Sequence, residues 1–353
     1  MIYLLFSTYS TGSTFLQNQI SRYIDVPKPP GTTINDTEFT LLHRGALFAY
    51  APHETIDHDP SRTFDPRTGR ENQQWRENYR QYLSLDNFPT IEEDFLENTI
   101  APFREKYNLP SYSSTYSSRL EYIVDVFKAY DKSGPIFGKC PKWLNDFSGY
   151  TEKLLGHLYD VGIDIRGTFL YREPLDTLAS TLERKFRLHE VFDGNIDDYA
   201  NYIYHSLLYS NKLGLDLTKR YQFNKIRYES IKDEYPHLME FMKIGSYNNP
   251  TYKRKYGRRF VLHPTARNYF ARLKPIGLVL GYSYPKRVTV SLYMRELFKA
   301  ISRTILGRDK DVNNPERPMS ILKRCFWYEV NTSQAYPIKV LYRRFIRTKA
   351  RHM

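Results

Sequence analysis

The chain opens on a run of five apolar residues, Ile2-Tyr-Leu-Leu-Phe6, that passes directly into Ser7-Thr-Tyr-Ser-Thr-Gly-Ser-Thr14. An apolar run without alternation marks a strand covered on both faces, which is what a parallel sheet between helices requires. From Thr14 the residues Phe15, Leu16, Ile20 and Tyr23 recur at helical spacing,. The opening unit is therefore strand, small-residue loop and helix. The same order brings the first amides of the helix, and the positive end of its dipole, to the hydroxyl-rich loop. Such a loop has the composition of an anion cradle, because small residues let backbone amides converge.

A second constellation follows the same plan. Residues 165–171 form another strand-like run that ends at Arg172, and a helix is expected from Pro174 to about residue 186, with proline in its first turn,. Ser180 falls eight residues after Arg172 on that helix, where an arginine and a hydroxyl can clamp one phosphate,. A third short apolar segment, 135–138, ends at Lys139. In open parallel sheets ligands bind outside the carboxyl ends of the strands, so both cations are candidates for the site.

The remaining sequence frames these elements. Residues 25–60 are irregular and polar residues continue to about 83, which reads as loops and a lid; 50–135 is expected to be an insertion on the acceptor side,. Helices are expected over 91–107, 118–130 and 196–213, a strand over 225–228, and a further helix over 265–273,. Residues 252–259 are a dense basic run. The predicted organisation is one domain over 1–285 and a basic, aromatic-rich helical extension over 286–353, with helical patterns at 292–305 and 338–346.

Composition narrows the function classes. With 41% hydrophobic and 26% charged residues the chain buries a core and is not disordered,. The net charge of +13 favours an anionic partner: a nucleotide, a phospholipid, a sulfated polymer or nucleic acid,. Neither a zinc-finger pattern nor an RNP-type aromatic motif is present, which counts against specific nucleic-acid recognition. Cys140 and Cys325 are too few for a disulfide framework or a four-ligand zinc site, and point to a reduced compartment,. The N-terminus has no basic flank or signal-length apolar run, and no stretch reaches the ~20 apolar residues of a membrane span, so a cytoplasmic location is expected. In the tail, Tyr293, Leu297, Ala300, Ile301 and Ile305 interleave with Arg295, Lys299 and Arg303, which suits either a helix packed on the domain or one lying on an anionic membrane,.

A nucleotide kinase is the main rival enzyme class. Its Walker motif needs G-x-x-x-x-G-K-[ST], and Gly12-Ser-Thr has neither the preceding glycine nor the lysine,.

The order strand, [ST]-G-[ST]-[ST] loop, then strand-R-x-P-x-x-x-x-x-S-helix resembles the superfamily of sulfotransferases that use PAPS (3'-phosphoadenosine-5'-phosphosulfate). The resemblance spans residues 1–285 and implies a P-loop-like, three-layer α/β fold with a mainly parallel central sheet flanked by helices. It implies that Ser10, Thr11, Gly12, Ser13 and Thr14 hold the 5'-phosphosulfate end, and that Arg172 and Ser180 hold the 3'-phosphate. Gly138-Lys-Cys-Pro141 is similar to a K-x-P segment that relatives place near the transferred group, which implies a catalytic role for Lys139. Arg227-Tyr-Glu-Ser resembles a segment that lies close to the adenine, implicating Tyr228, and Gly257, Arg258 and Arg259 resemble the basic loop that closes over the 3'-phosphate. Leu280-Gly-Tyr282 resembles a common domain ending.

One position departs from that pattern. Many members have a cation two residues before the loop glycine, where this chain has Ser10. Lys139 and Lys142 are the first candidates to supply that charge, and Arg44 the next. The reaction implied is in-line transfer of a sulfuryl group to an acceptor hydroxyl or amine, such as that of a glycan, without a metal. Glu38 and His43, which flank the apolar stretch 39–42, are preferred as the general base over His53 and Glu54. A non-catalytic relative that binds PAP (3',5'-adenosine bisphosphate) or glycan is the other alternative. The 31 Tyr and 21 Phe suit carbohydrate and aromatic acceptors equally.

Overall fold

A computed structural model of the chain describes residues 1–8, 11–27, 104–110, 119–140, 143–145, 150–187, 196–250 and 259–305. Four strands form one sheet: β1 (Ile2–Ser7), β2 (Ile136–Cys140), β3 (Ile165–Tyr171) and β4 (Asn224–Arg227). Their order is β2-β1-β3-β4, and every pairing is parallel. The central position of β1 explains its unbroken apolar run, since all six of its residues are buried,.

Alternate residues of β1 serve two different layers. Tyr3 and Leu5 join Phe137, Leu170 and Ile226 from the other strands in a cluster with Leu16 and Ile20 of α1 (Ser13–Ile20). Arg119–Ser133 (α2) and Tyr150–Asp160 (α3) come next in the chain. Pro174–Arg187 (α4), Ile196–Tyr221 (α5) and Ile231–Phe241 (α6) follow, and Ile231, Tyr235, Leu238 and Met239 of α6 complete the same cluster. On the opposite face Phe6 stacks on Phe223 at 5.3 Å and meets Trp143 edge-on at 5.9 Å. Phe169, level with Phe6, lies against Gly214 of α5, where an added Cβ would stand 2.5 Å from the ring. Helices therefore cover both faces, as the α/β reading requires.

The chain divides into two units. The first comprises Met1–Arg172 and His205–Lys253 and contains the sheet; the second comprises Glu173–Tyr204 and Arg254–Met353. In the second, the first turn of α4 anchors the 3-10 turn Arg259–Leu262, because Asp176 Oδ1 accepts the Phe260 N–H at 3.1 Å. Two short helices, α7 (Pro264–Asn268) and α8 (Phe270–Val279), and α9 (Val290–Ile305) complete its described part.

Several expected elements have different bounds. The second strand runs through Lys139 to Cys140. The helix expected over 196–213 continues to Tyr221, the strand expected to reach Tyr228 stops at Arg227, and the helix expected over 265–273 is two helices that meet at Tyr269. Helices α3 and α6 were not anticipated. The expected 338–346 helix and most of 91–107 lie outside the described residues.

Candidate functional site

Register brings the candidate residues of the first unit to one edge. Phe6 is level with Cys140 and Phe169, Ser7 with Leu170, and Tyr171 with Arg227. The next residues along β1, β3 and β4 are Thr8, Arg172 and Tyr228, so the carboxyl ends of adjacent strands present them side by side. This is where an open parallel sheet offers its crevice.

The loop after β1 is shaped by Gly12. Its φ of 81° is left-handed, and a Cβ there would stand 2.2 Å from Tyr228 Cε2. Both the backbone conformation and the approach of the tyrosine ring exclude a side chain. Thr11 is fully buried, and its hydroxyl donates to the Thr8 carbonyl at 2.7 Å, so that proton closes the loop on itself. Ser7 Oγ is also buried and has no hydrogen-bond partner among the described residues. Ser7, which the sequence pattern assigns to the turn, is the last residue of β1 and brings to the loop a hydroxyl that no motif marks.

Helix α1 begins at Ser13 and Thr14. Its cap residue Gly12 makes no side-chain hydrogen bond, and its first turn contains no acidic residue. The positive end of the helix is thus uncompensated by a carboxylate from its own first turn. Lys139 adds a further positive charge: it is 3% exposed, and its Nζ donates to Thr14 Oγ1 at 3.2 Å. A buried ammonium at a helix N-terminus opposes the dipole, and an anion seated on the loop relieves both charges. The same Tyr228 ring also meets Arg172, which is 2% exposed, with its Cζ 5.5 Å from the ring centroid. Gly12, Thr14, Lys139, Arg172 and Tyr228 therefore form one linked set in which one aromatic ring touches both the loop and the arginine.

The helix that follows Arg172 is built differently. Glu173 caps α4, its carboxylate oxygens accepting the Leu175 N–H at 3.1 Å and the Asp176 N–H at 2.5 Å. The Tyr284 hydroxyl donates to the same carboxylate. Burial first, and then the neighbouring charge of Asp176, push the Glu173 carboxyl up to about 8, against the three hydrogen bonds that favour its ionised form. The amides that receive an anion at many helix N-termini are here bound by the chain's own carboxylate. Ser180, half-buried, sits two turns into α4 in the second unit, eight residues along the chain from Arg172 in the first.

Arg259 begins the 3-10 turn next to the anchored Phe260. Glu38, His43, Ser10, Gly257 and Arg258 lie outside the described residues, as do the alternatives Arg44, His53, Glu54 and Lys142. Among the described residues no cluster of three or more His, Cys, Asp or Glu is arranged to hold a metal ion, and no helix is long and apolar enough to cross a membrane.

No known family's sequence profile matches the chain, and no curated protein sequence does. Among solved structures, the sulfotransferase domain from the Synechococcus PCC 7002 olefin synthase is similar at 13% identity and a TM-score of 0.39, over 80% of this chain and 95% of that one. The sulfotransferase domain from the curacin biosynthetic pathway is similar at 14% identity and a TM-score of 0.42, over 81% of this chain and 98% of that one. Likeness at this level assigns no residue and no reaction.

Proposed function

We propose that the chain is a sulfotransferase that binds PAPS at the carboxyl edge of its sheet and passes the sulfuryl group to a hydroxyl or amine of an acceptor such as a glycan. The observation that supports this most is the Lys139 ammonium on Thr14 Oγ1, at the first turn of α1. It supplies a cation at the loop from a neighbouring strand, where the sequence has Ser10 in place of the loop cation of many PAPS-dependent enzymes. A kinase P-loop carries its lysine directly after the loop glycine, where this chain has Ser13, so the loop sequence itself counts against ATP,.

The residues present fit such a donor. Two buried cations and a helix N-terminus suit an anion at the loop, and Tyr228 offers an aromatic face beside it. In this reading Lys139, Ser13, Thr14 and the first amides of α1 bind the 5' end, with Ser10 and Thr11 shaping the loop around it. Arg172 binds the 3'-phosphate, and Tyr228 lies against the base. When bound, the donor supplies an activated sulfuryl group whose leaving oxygen gains negative charge as the bond breaks. Lys139 and the α1 amides are fixed donors aimed at that charge, the same electrostatic logic as phosphoryl transfer. Glu38 or His43 takes the acceptor proton.

Thermal unfolding of the full chain tests the donor class. PAP should raise the midpoint, since a ligand present at 100 times its Kd adds about 2.7 kcal/mol to the native state. ATP with magnesium should leave it unchanged. A shift with ATP and none with PAP would return the chain to the kinases.

A further inference from the structure

The charge of the chain is concentrated at one end. Residues 286–353 hold 16 Lys and Arg against five Asp and Glu, a net +11 of the chain's +13. Helix α9 is the described element of that segment, and it has three distinct faces. Leu292 and Glu296 are buried, and Tyr293 and Leu297 pack on Leu262 of the 3-10 turn, with the Arg267 guanidinium 5.2 Å from the Tyr293 ring centre. This face docks the helix on its own unit.

A second face is apolar and open to solvent. Val290, Met294 and Phe298 recur every four residues and are 80%, 40% and 61% exposed. In the sequence, Ile301 and Ile305 fall on the same helical phase,. The third face, beside it, is basic: Arg295 and Lys299 are 60% and 47% exposed and share one buried carboxylate, Glu296, at 3.5 and 2.9 Å. Lys286 and Arg287, both exposed, precede the helix. Glu296 is the only acidic residue between 259 and 305, against nine Lys and Arg.

Charge alone would suit any polyanion. Val290, Met294 and Phe298 distinguish among them, because a row of solvated apolar side chains gains nothing from a sulfated glycan or a nucleic-acid backbone. It gains from a partner that is apolar just beneath an anionic surface, and a bilayer with anionic headgroups is that partner. The geometry points to α9 as a docking helix that lies on an anionic lipid surface. Val290, Met294 and Phe298 enter the headgroup–acyl boundary, and Lys286, Arg287, Arg295 and Lys299 meet the headgroups. This docking is independent of the nucleotide reading.

Co-sedimentation of the full chain with vesicles tests it. The wild type should pellet with phosphatidylcholine vesicles that contain phosphatidylserine, should not pellet with phosphatidylcholine alone, and should be released by high salt. Met294→Asp with Phe298→Asp should lower the partition coefficient at least about tenfold, by removing two buried apolar side chains from the bilayer. Both positions are exposed, so the variant's unfolding midpoint should match the wild type, and that match confirms that it is folded. Failure of the wild type to bind phosphatidylserine vesicles would overturn the proposal. So would vesicle binding that the double variant retains, or retention on heparin or RNA, unchanged in that variant, without vesicle binding.

Discussion

Lys139 and Arg172 share an unusual setting: each is a cation almost wholly removed from solvent at the carboxyl end of a parallel strand. They are expected to act on opposite ends of one ligand. Hydrogen bonds to charged groups contribute about 1.5–3 kcal/mol, or roughly 10–100-fold in affinity. Lys139→Ala should therefore weaken PAP and AMP by a similar factor, since both contain the 5'-phosphate, and parallel calorimetric titrations would measure it. Loss of PAP affinity with AMP affinity intact would move Lys139 to the other end of the ligand. The sequence identified both cations by their place at strand ends. It gave no sign that Tyr228 would lie against Gly12, because that contact joins residues 216 positions apart through the register of β1, β3 and β4. Ser7 was equally hidden: whether a serine closes a strand or opens a turn is decided by the neighbour that pairs with it, here Leu170.

At the scale of elements, the N-termini of α1 and α4 differ in their caps. Glycine precedes α1, whereas a buried glutamate caps α4 and also receives the Tyr284 hydroxyl. Because the Glu173 carboxyl is raised from its ordinary 4.5 to about 8 in the folded protein, the native state holds a proton that the unfolded chain releases between those values. Stability should fall as pH rises through that window, by the sign of proton linkage. Unfolding midpoints measured from pH 5 to 8 should decline less in Glu173→Gln than in the wild type; parallel curves would show that Glu173 does not titrate there. Of the elements, β1, β3 and α4 were legible because burial on both faces and a proline in the first turn leave local marks. Helix α6 was not, since Pro236 stands inside it and reads as punctuation in the sequence, although Ile231, Tyr235, Leu238 and Met239 keep helical spacing around it. The expected single helix at 265–273 breaks at Tyr269, whose ring lies 5.2 Å from Tyr204 and 5.1 Å from the Arg272 guanidinium, partners that no local pattern announces.

For the whole molecule, the α/β class was implied by the order of motifs along the chain, and the parallel order β2-β1-β3-β4 gives the first of them its central place. The two-unit division was less accessible. Arg172 ends one unit and Glu173 begins the other, so a motif that is continuous in sequence, Arg172 to Ser180, is distributed between two bodies. In the proposed function the sheet edge binds a nucleotide through separate sites for its 5' and 3' phosphates. Calorimetry of PAP and AMP with wild type and Arg172→Ala tests it most directly. The wild type should prefer PAP by roughly 10–100-fold, the worth of one charge-assisted contact to the 3'-phosphate, and Arg172→Ala should bind the two alike. Equal binding of PAP and AMP by the wild type, or an undiminished preference in Arg172→Ala, would contradict the account.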